Sequence, residues 1–409
     1  MKNRFAAFRL WRIDLMKVLI AEDENVSRRM LQKTLEKWGY EVVSTANGVE
    51  ALSAFQQNDF SMVITDWMMP EMDGVQLVEK IRNADNRDYV YIIMLTANSK
   101  KEDLVVGMNA GADDFVAKPF DKGELQVRLR AGERVINLEK NLFVRNQELE
   151  RINQRMKLDL TAAAEIQKSL LPSRPPQVPG ISIGWEFRPC DELAGDILNV
   201  FQLDEHHLAF YVLDVSGHGV PAALLAVSLS RMLSPEIDSA SLLKTRGADN
   251  QPRITPPAEV TTQLNRRFQM SPENGQFFTM LYGIIDLRTK ELRYSSAGHP
   301  GIILTSRNGD GRILKVPSLP IGFLDENIYE EHTVQLISGD RIFMYSDGLP
   351  EAEDPADNLF GMDRMVKYLK DYNAMNIKES ISMLLVEVNM WANGPLKDDV
   401  TLLGIEIRE

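Results

Sequence analysis

Residues 16–24, MKVLIAEDE, decide how the first part of the chain is read. The apolar run Val18 to Ala21 leads into three carboxylates, Glu22, Asp23 and Glu24, as a buried strand does where it leaves a sheet. Similar runs recur up to about residue 120: YEVVSTA, FSMVITD, YVYIIMLTA and DDFVAKPF. Between them, segments near 26–38, 48–57, 74–83 and 101–110 carry helical period. Strand and helix alternating at this spacing predict a five-stranded, doubly wound parallel sheet. In such sheets functional groups gather beyond the carboxyl ends of the strands. Glu22 and Asp23 follow the first strand, Asp66 the third, Thr96 the fourth and Lys118 the fifth.

The rest of the chain sets bounds on this reading. Its 409 residues imply two or three domains. At 44% apolar and 26% charged, the composition is that of a globular protein, and no apolar run approaches the ~18 residues of a membrane span. A lone Cys190 forms no internal disulfide, which points to a reducing, cytoplasmic setting. The net charge of −13 and the lack of a basic recognition helix argue against nucleic acid as a partner. Residues 1–15 carry four basic groups and one acidic, and are expected to be an extension upstream of the first domain rather than a membrane anchor.

No proline occurs between Pro119 and Pro172. Steps of three and four from Val135 pick out Leu138, Leu142, Arg145, Leu149, Ile152, Met156, Asp159, Ala163, Ile166 and Leu170, and nine of these eleven positions are apolar. A helix over about 122–171, coiled-coil-like and ~70 Å long, is therefore expected to join two domains and pair two chains into a homodimer. LLPSRPPQVPG then breaks it. Beyond lie short strands with Gly or Pro turns and a few grouped helices, predicting an α+β fold, a β-sandwich flanked by helices, over 172–409.

Each part carries a cluster of acids. Glu22, Asp23 and Asp66 would converge at one sheet edge and suit octahedral Mg²⁺. Asp66 could then accept a phosphoryl group as an aspartyl phosphate, with Lys118 pairing with the phosphoryl oxygens and Thr96 donating a hydrogen bond. In the second part, Asp196 (LAGDILNV), Asp214 (FYVLDVSGHG), Asp347 (IFMYSDG) and Asp398 with Asp399 (KDDVTLL) stand at the ends of apolar runs. Carboxylates so placed need a positive counterpart, and without the His/Cys spacing of zinc sites that counterpart is Mg²⁺ or Mn²⁺. Two ions bridged by a carboxylate can activate water for attack on a phosphoester.

The motifs AEDE, TDWMMPEMDG, MLTA and GADDFVAKPF resemble the receiver domain of two-component response regulators, over about 16–135, with its flavodoxin-like fold. The resemblance implies a backbone ligand from the Met68 carbonyl, a switch pair of Thr96 and Phe115, and phosphorylation of Asp66 by a sensor histidine kinase or phosphotransfer protein. Glu22 departs from the family's usual Asp. IQKSLLP, AGD, DVSGHGVPAALL, SSAGHP, YSDGLPEA, LFG and KDDVTLL resemble the PPM-type Ser/Thr phosphatases, particularly the SpoIIE-like branch. That resemblance implies two Mn²⁺ or Mg²⁺ held by Asp196, Asp214, the Val215 carbonyl, Asp347 and Asp398, with Asp214 bridging. It also implies a phosphoserine or phosphothreonine substrate, commonly an anti-sigma-factor antagonist. Two departures stand out: AGD replaces a double-glycine motif, and Asn199 stands where many members carry Asp. Some related regulators have lost their ligands and serve as adaptors that bind a sigma factor or its regulator; the retained aspartates weigh against that alternative. His218 and His299, in SGHG and SAGHP, could be general acids, but a loop-holding role fits their small-residue surroundings better.

Overall fold

Val18–Ala21, Met62–Ile64 and Ile92–Leu95 are fully buried, as strands covered on both faces must be. They belong to the first of two compact units, the second being Arg155–Glu409, in a computed structural model that describes residues 16–84, 89–97, 101–236, 241–246, 251–270, 275–307 and 310–408. The expected extension at 1–15 lies outside the described residues.

The first unit runs β1 (Lys17–Ala21), α1 (Asn25–Lys37), β2 (Glu41–Thr45), α2 (Gly48–Gln57), β3 (Met62–Asp66), α3 (Gly74–Arg82), β4 (Tyr91–Thr96), α4 (Lys101–Asn109) and β5 (Asp114–Ala117). The strands form one parallel sheet in the order β2-β1-β3-β4-β5. Phe55, Leu77, Val78 and Ile81 of α2 and α3 cover one face, and Leu31 and Leu35 of α1 cover the other. Asn47 and Asp73 cap α2 and α3 by accepting from the backbone N–H groups of Glu50 and Gln76, which sets the entry of each helix.

Helix α5 (Lys122–Lys168) follows. Its Leu125, Leu129 and Ile136 join the core beneath α1. Leu138, Leu142, Leu149, Ile152, Met156 and Ile166 are each more than half exposed. The apolar row is shorter than the sequence implies: Val135 packs into the first unit, and Leu170 lies past the helix end, packed on the second unit's core.

The second unit runs β6 (Ile181–Arg188), β7 (Ile197–Gln202), β8 (His207–Val215), α6 (Val220–Met232), β9 (Lys244–Arg246), β10 (Pro252–Ile254), α7 (Pro257–Arg267), β11 (Phe278–Asp286), β12 (Glu291–Ala297), β13 (Ile302–Thr305), β14 (Gly311–Leu314), β15 (His332–Gln335), β16 (Arg341–Tyr345), α8 (Met362–Asp371), α9 (Ile377–Ala392) and β17 (Val400–Ile407). Two antiparallel sheets, β15-β12-β11-β8-β7 and β14-β13-β16-β17-β6, pack face to face, and β9 with β10 makes a small ribbon. Alternate residues assign the layers. Leu208, Phe210 and Val212 of β8 meet Ile342, Met344, Leu403 and Ile405 between the sheets. Ala209, Tyr211 and Leu213 face α6 and α7, while Phe343 and Tyr345 face α8 and α9. Helices thus cover both outer faces of a sandwich.

Gly283 shows how tight that interior is. It pairs with Phe210 across β11 and β8, and a Cβ there would lie 2.4 Å from the Phe210 ring. Gly283→Ala is expected to cost about 1–3 kcal/mol, the range for overpacking a filled core, and a lowered urea midpoint with unchanged slope would report it.

Candidate active sites

In the first unit the strand register sets the site. Ala21 pairs with Thr65, Asp66 with Leu95 and Thr96 with Ala117, so the residues ending β1, β3, β4 and β5 share one edge. Glu22, Asp23 and Asp66 offer carboxylate oxygens within 4.8 Å of one another. Glu22 and Asp66 are buried and Asp23 is exposed. Lys118 Nζ lies 2.7 Å from both Glu22 Oε2 and Asp66 Oδ2, and Asp66 Oδ1 accepts from the Trp67 N–H at 2.9 Å. Burial raises the Glu22 pKa against the Lys118 hydrogen bond, and the Asp66 charge adds to the rise. The Lys118 N–H donates to the Thr96 carbonyl at 2.8 Å, which holds the last two strand ends together. Thr96 is buried, and the Phe115 ring lies 6.5 Å from that of Trp67. The Met68 side chain is exposed, consistent with any contribution coming from its backbone. A Cβ on Gly74 would stand 2.2 Å from the Asp66 carbonyl, so the glycine ending the TDWMMPEMDG motif allows α3 to start against the site.

Three clustered carboxylates with one ammonium fit a small hard cation, because the donor set is all oxygen and repels itself. Lys118→Met is expected to destabilise the first unit by about 3–5 kcal/mol, the cost of leaving buried charge unpaired. Denaturation with and without Mg²⁺ checks this, and added Mg²⁺ should recover part of the loss.

In the second unit the alternation along β7 and β8 aims the acids. Asp196 stands one step before the Ile197–Leu213 pair, which brings it opposite Asp214, and both lie in phase with residues inside the sandwich. Asp347 follows β16 and Asp398 precedes β17 in the facing sheet. Asp196 is buried and accepts a hydrogen bond from the Thr401 hydroxyl at 2.6 Å, with Ser346 beside it. Burial, then the charge of Asp214, pushes its pKa well up. Asp214 is pushed up to about 7, first by burial and then by Asp347 and Asp398. Asp347 and Asp398 are also raised, by burial and by neighbouring acids. The four do not form one tight group like that in the first unit; among the described residues they are spread across the sandwich end and act on one another through space. Such a set favours more than one divalent cation bound by oxygen, so the residues present fit the pair expected from the sequence.

The adjacent aspartates divide their roles. Asp399 accepts from the N–H groups of Cys190 (2.9 Å) and Gly195 (2.7 Å), with Asp196 N at 3.4 Å, so its charge is spent on backbone. Asp398 is the exposed one, and its Oδ1 accepts from the N–H of its neighbour Asp399 at 2.8 Å. A Cβ on Gly348 would meet the Asp399 carbonyl at 2.2 Å, which explains the glycine of YSDG. Cys190 lies near Asp398 and Asp399, but burial and those acids push its thiol up to about 12, so it is no thiolate. Asn199 pairs with Tyr211 on the helix-covered face, away from Asp196. His299 is buried, its Nδ1 2.7 Å from Thr279 Oγ1, and Thr279 pairs with Asp214; burial holds its pKa down to about 3. His218 is exposed, 3.5 Å from Asp191. The sequence reading did not single out Thr401, Ser346 or Thr279; a polar residue within an apolar strand, as in DDVTLL, is the signal that finds the first.

Fold and sites together define a receiver domain followed by a PP2C-type phosphatase domain. The chain belongs to the stage II sporulation protein E (SpoIIE) family, whose model matches residues 204–408, and the response regulator receiver domain model matches 18–130. The first unit is 42% identical over 115 residues to a probable transcriptional regulator ycf27 of Porphyridium aerugineum, 28% of this chain and 47% of that one. It is 38% identical over 114 residues to the transcriptional regulatory protein SrrA of Staphylococcus aureus, 28% of this chain and 46% of that one. The chain thus spans about half the length of the curated relatives it matches. The second unit shares its fold with the SiaA-PP2C domain of Pseudomonas aeruginosa, at 21% identity and a TM-score of 0.52, covering 62% of this chain and 98% of that chain. Among the described residues no helix is long and apolar enough to cross a membrane.

Proposed function

We propose that the chain is a response regulator phosphorylated on Asp66 by a histidine kinase, and that its output is a metal-dependent phosphatase for phosphoserine or phosphothreonine on a protein, an anti-sigma-factor antagonist. The observation carrying the reading is the set of four aspartates from two facing sheets, whose pKa values are all raised, first by burial and then by the charge of neighbouring carboxylates. Retaining such mutual repulsion costs stability unless cations relieve it. Bound Mn²⁺ or Mg²⁺ would supply a hydroxide-like water and a clamp for the phosphoester oxygens. Asp196, Asp214, Asp347 and Asp398 would hold the ions, with the Val215 carbonyl; Thr401 and Ser346 would keep Asp196 aimed inward. In the receiver, Glu22, Asp23, Asp66 and the Met68 carbonyl would hold one Mg²⁺, Lys118 and Thr96 would steady the phosphoryl oxygens, and Phe115 would respond with Thr96.

The exposed apolar row of α5 supports pairing of two chains through that helix, and a change in pairing would carry the receiver's state to the phosphatase. The test is hydrolysis of a phosphoserine protein substrate with Mn²⁺, before and after receiver phosphorylation. Equal rates in both states would sink the coupling, and no rate in either would favour the adaptor reading.

A further inference from the structure

We propose that the cavity beside Asp347 is a substrate subsite that holds apolar side chains flanking the phosphorylated residue. The inference rests on the phosphatase reading above and deepens it. The cavity encloses about 570 Å³, and Asp347 and His299 are among its lining residues, so whatever enters lies beside the carboxylate cluster. Much of the remaining wall is Ile313, Val316, Pro317 and Leu359. Leu359 is 51% exposed and Pro317 is also exposed, which leaves apolar surface open next to a group of acids. Open apolar surface converging with perturbed titratable groups is the usual composition of a binding pocket, and ~300–1,000 Å³ is its usual size.

Charge selects the occupant. Lys315 and Glu351 also line the cavity and offset one another, and Asp347 is assigned to a cation, so the wall offers no unpaired positive side chain. A second phosphate or an acidic side chain would lose water against the apolar wall without gaining a free cationic partner, whereas leucine or methionine would bury hydrocarbon at no electrostatic cost. The volume accommodates one or two such side chains, as an extended peptide would present with its phosphoserine at the aspartates. Burying one of them is worth roughly ten- to a hundredfold in affinity.

The test uses the full chain with Mn²⁺ and two labelled peptides in which a non-hydrolysable phosphonate replaces phosphoserine, one flanked by Leu and one by Asp. Fluorescence anisotropy is expected to show at least tenfold tighter binding of the Leu-flanked peptide. Leu359→Lys and Pro317→Lys, both at exposed positions, should reduce that preference to under twofold while p-nitrophenyl phosphate hydrolysis stays within twofold of wild type. Equal binding of both peptides by wild type, or a preference that survives both substitutions, overturns the subsite. Flank-dependent binding without any p-nitrophenyl phosphate hydrolysis would uphold the subsite and sink the phosphatase reading instead.

Discussion

Asp214→Asn is expected to lower phosphatase activity at least about a thousandfold, roughly 4 kcal/mol of transition-state stabilisation, while making the metal-free protein more stable. The two effects have one cause. Asp214 is held among Asp347, Asp398 and Asp399 with little water, and its pKa rises from 3.8 to about 7. A carboxyl whose folded pKa is raised binds more protons folded than unfolded, so without metal stability falls as pH climbs from about 4 through about 7. Asn keeps the shape and removes the charge, so the variant should lose much of that pH dependence. Divalent cation should flatten the wild-type curve, because the ionised form is then the one stabilised. Thermal melts at pH 5 and 8, with and without Mn²⁺, check the prediction alongside the assay. A variant destabilised at pH 8 without metal would show that Asp214 is held by protein contacts rather than strained by its neighbours.

Asp66→Asn is expected to abolish labelling of the receiver by acetyl phosphate and with it any difference in phosphatase rate between donor-treated and untreated protein. Asn cannot form the acyl phosphate, yet it still accepts from the Trp67 N–H and sits near Lys118, so the unit should stay folded. The basal phosphatase rate should therefore persist. Residual labelling at wild-type level would move the acceptor to another acid of the cluster, such as exposed Asp23.

Much of this was legible in the sequence, for a physical reason. Fully buried parallel strands are short, apolar and bounded by turns, so β1, β3 and β4 announce themselves, and their carboxyl ends name Glu22, Asp66 and Thr96. The shortest strands do not: β14 and β15 have four residues each and β9 and β10 three, too few for period to rise above noise. The acids at strand ends were readable, but which of them face one another was not, since that depends on register between strands far apart in the chain. Asp398 and Asp399 are chemically alike in the sequence; only the backbone donors of Cys190 and Gly195 separate an anchor from a candidate ligand. Asn199 looked like a loss until the pleat placed it on the other face of β7. The apolar row of α5 was read too long because helical spacing does not show where a helix is already covered or where it stops.

The pleat has a consequence for how this site can change over generations. Asp196 and Asp214 are aimed by parity along β7 and β8, so one residue inserted in either strand would turn the acid outward to the helix-covered face rather than shift it slightly. Substitution can tune the site by degrees, but a change of strand length acts as a frameshift in space. Drift in length is then confined to the turns between strands, where added residues leave the parity of β7 and β8 untouched.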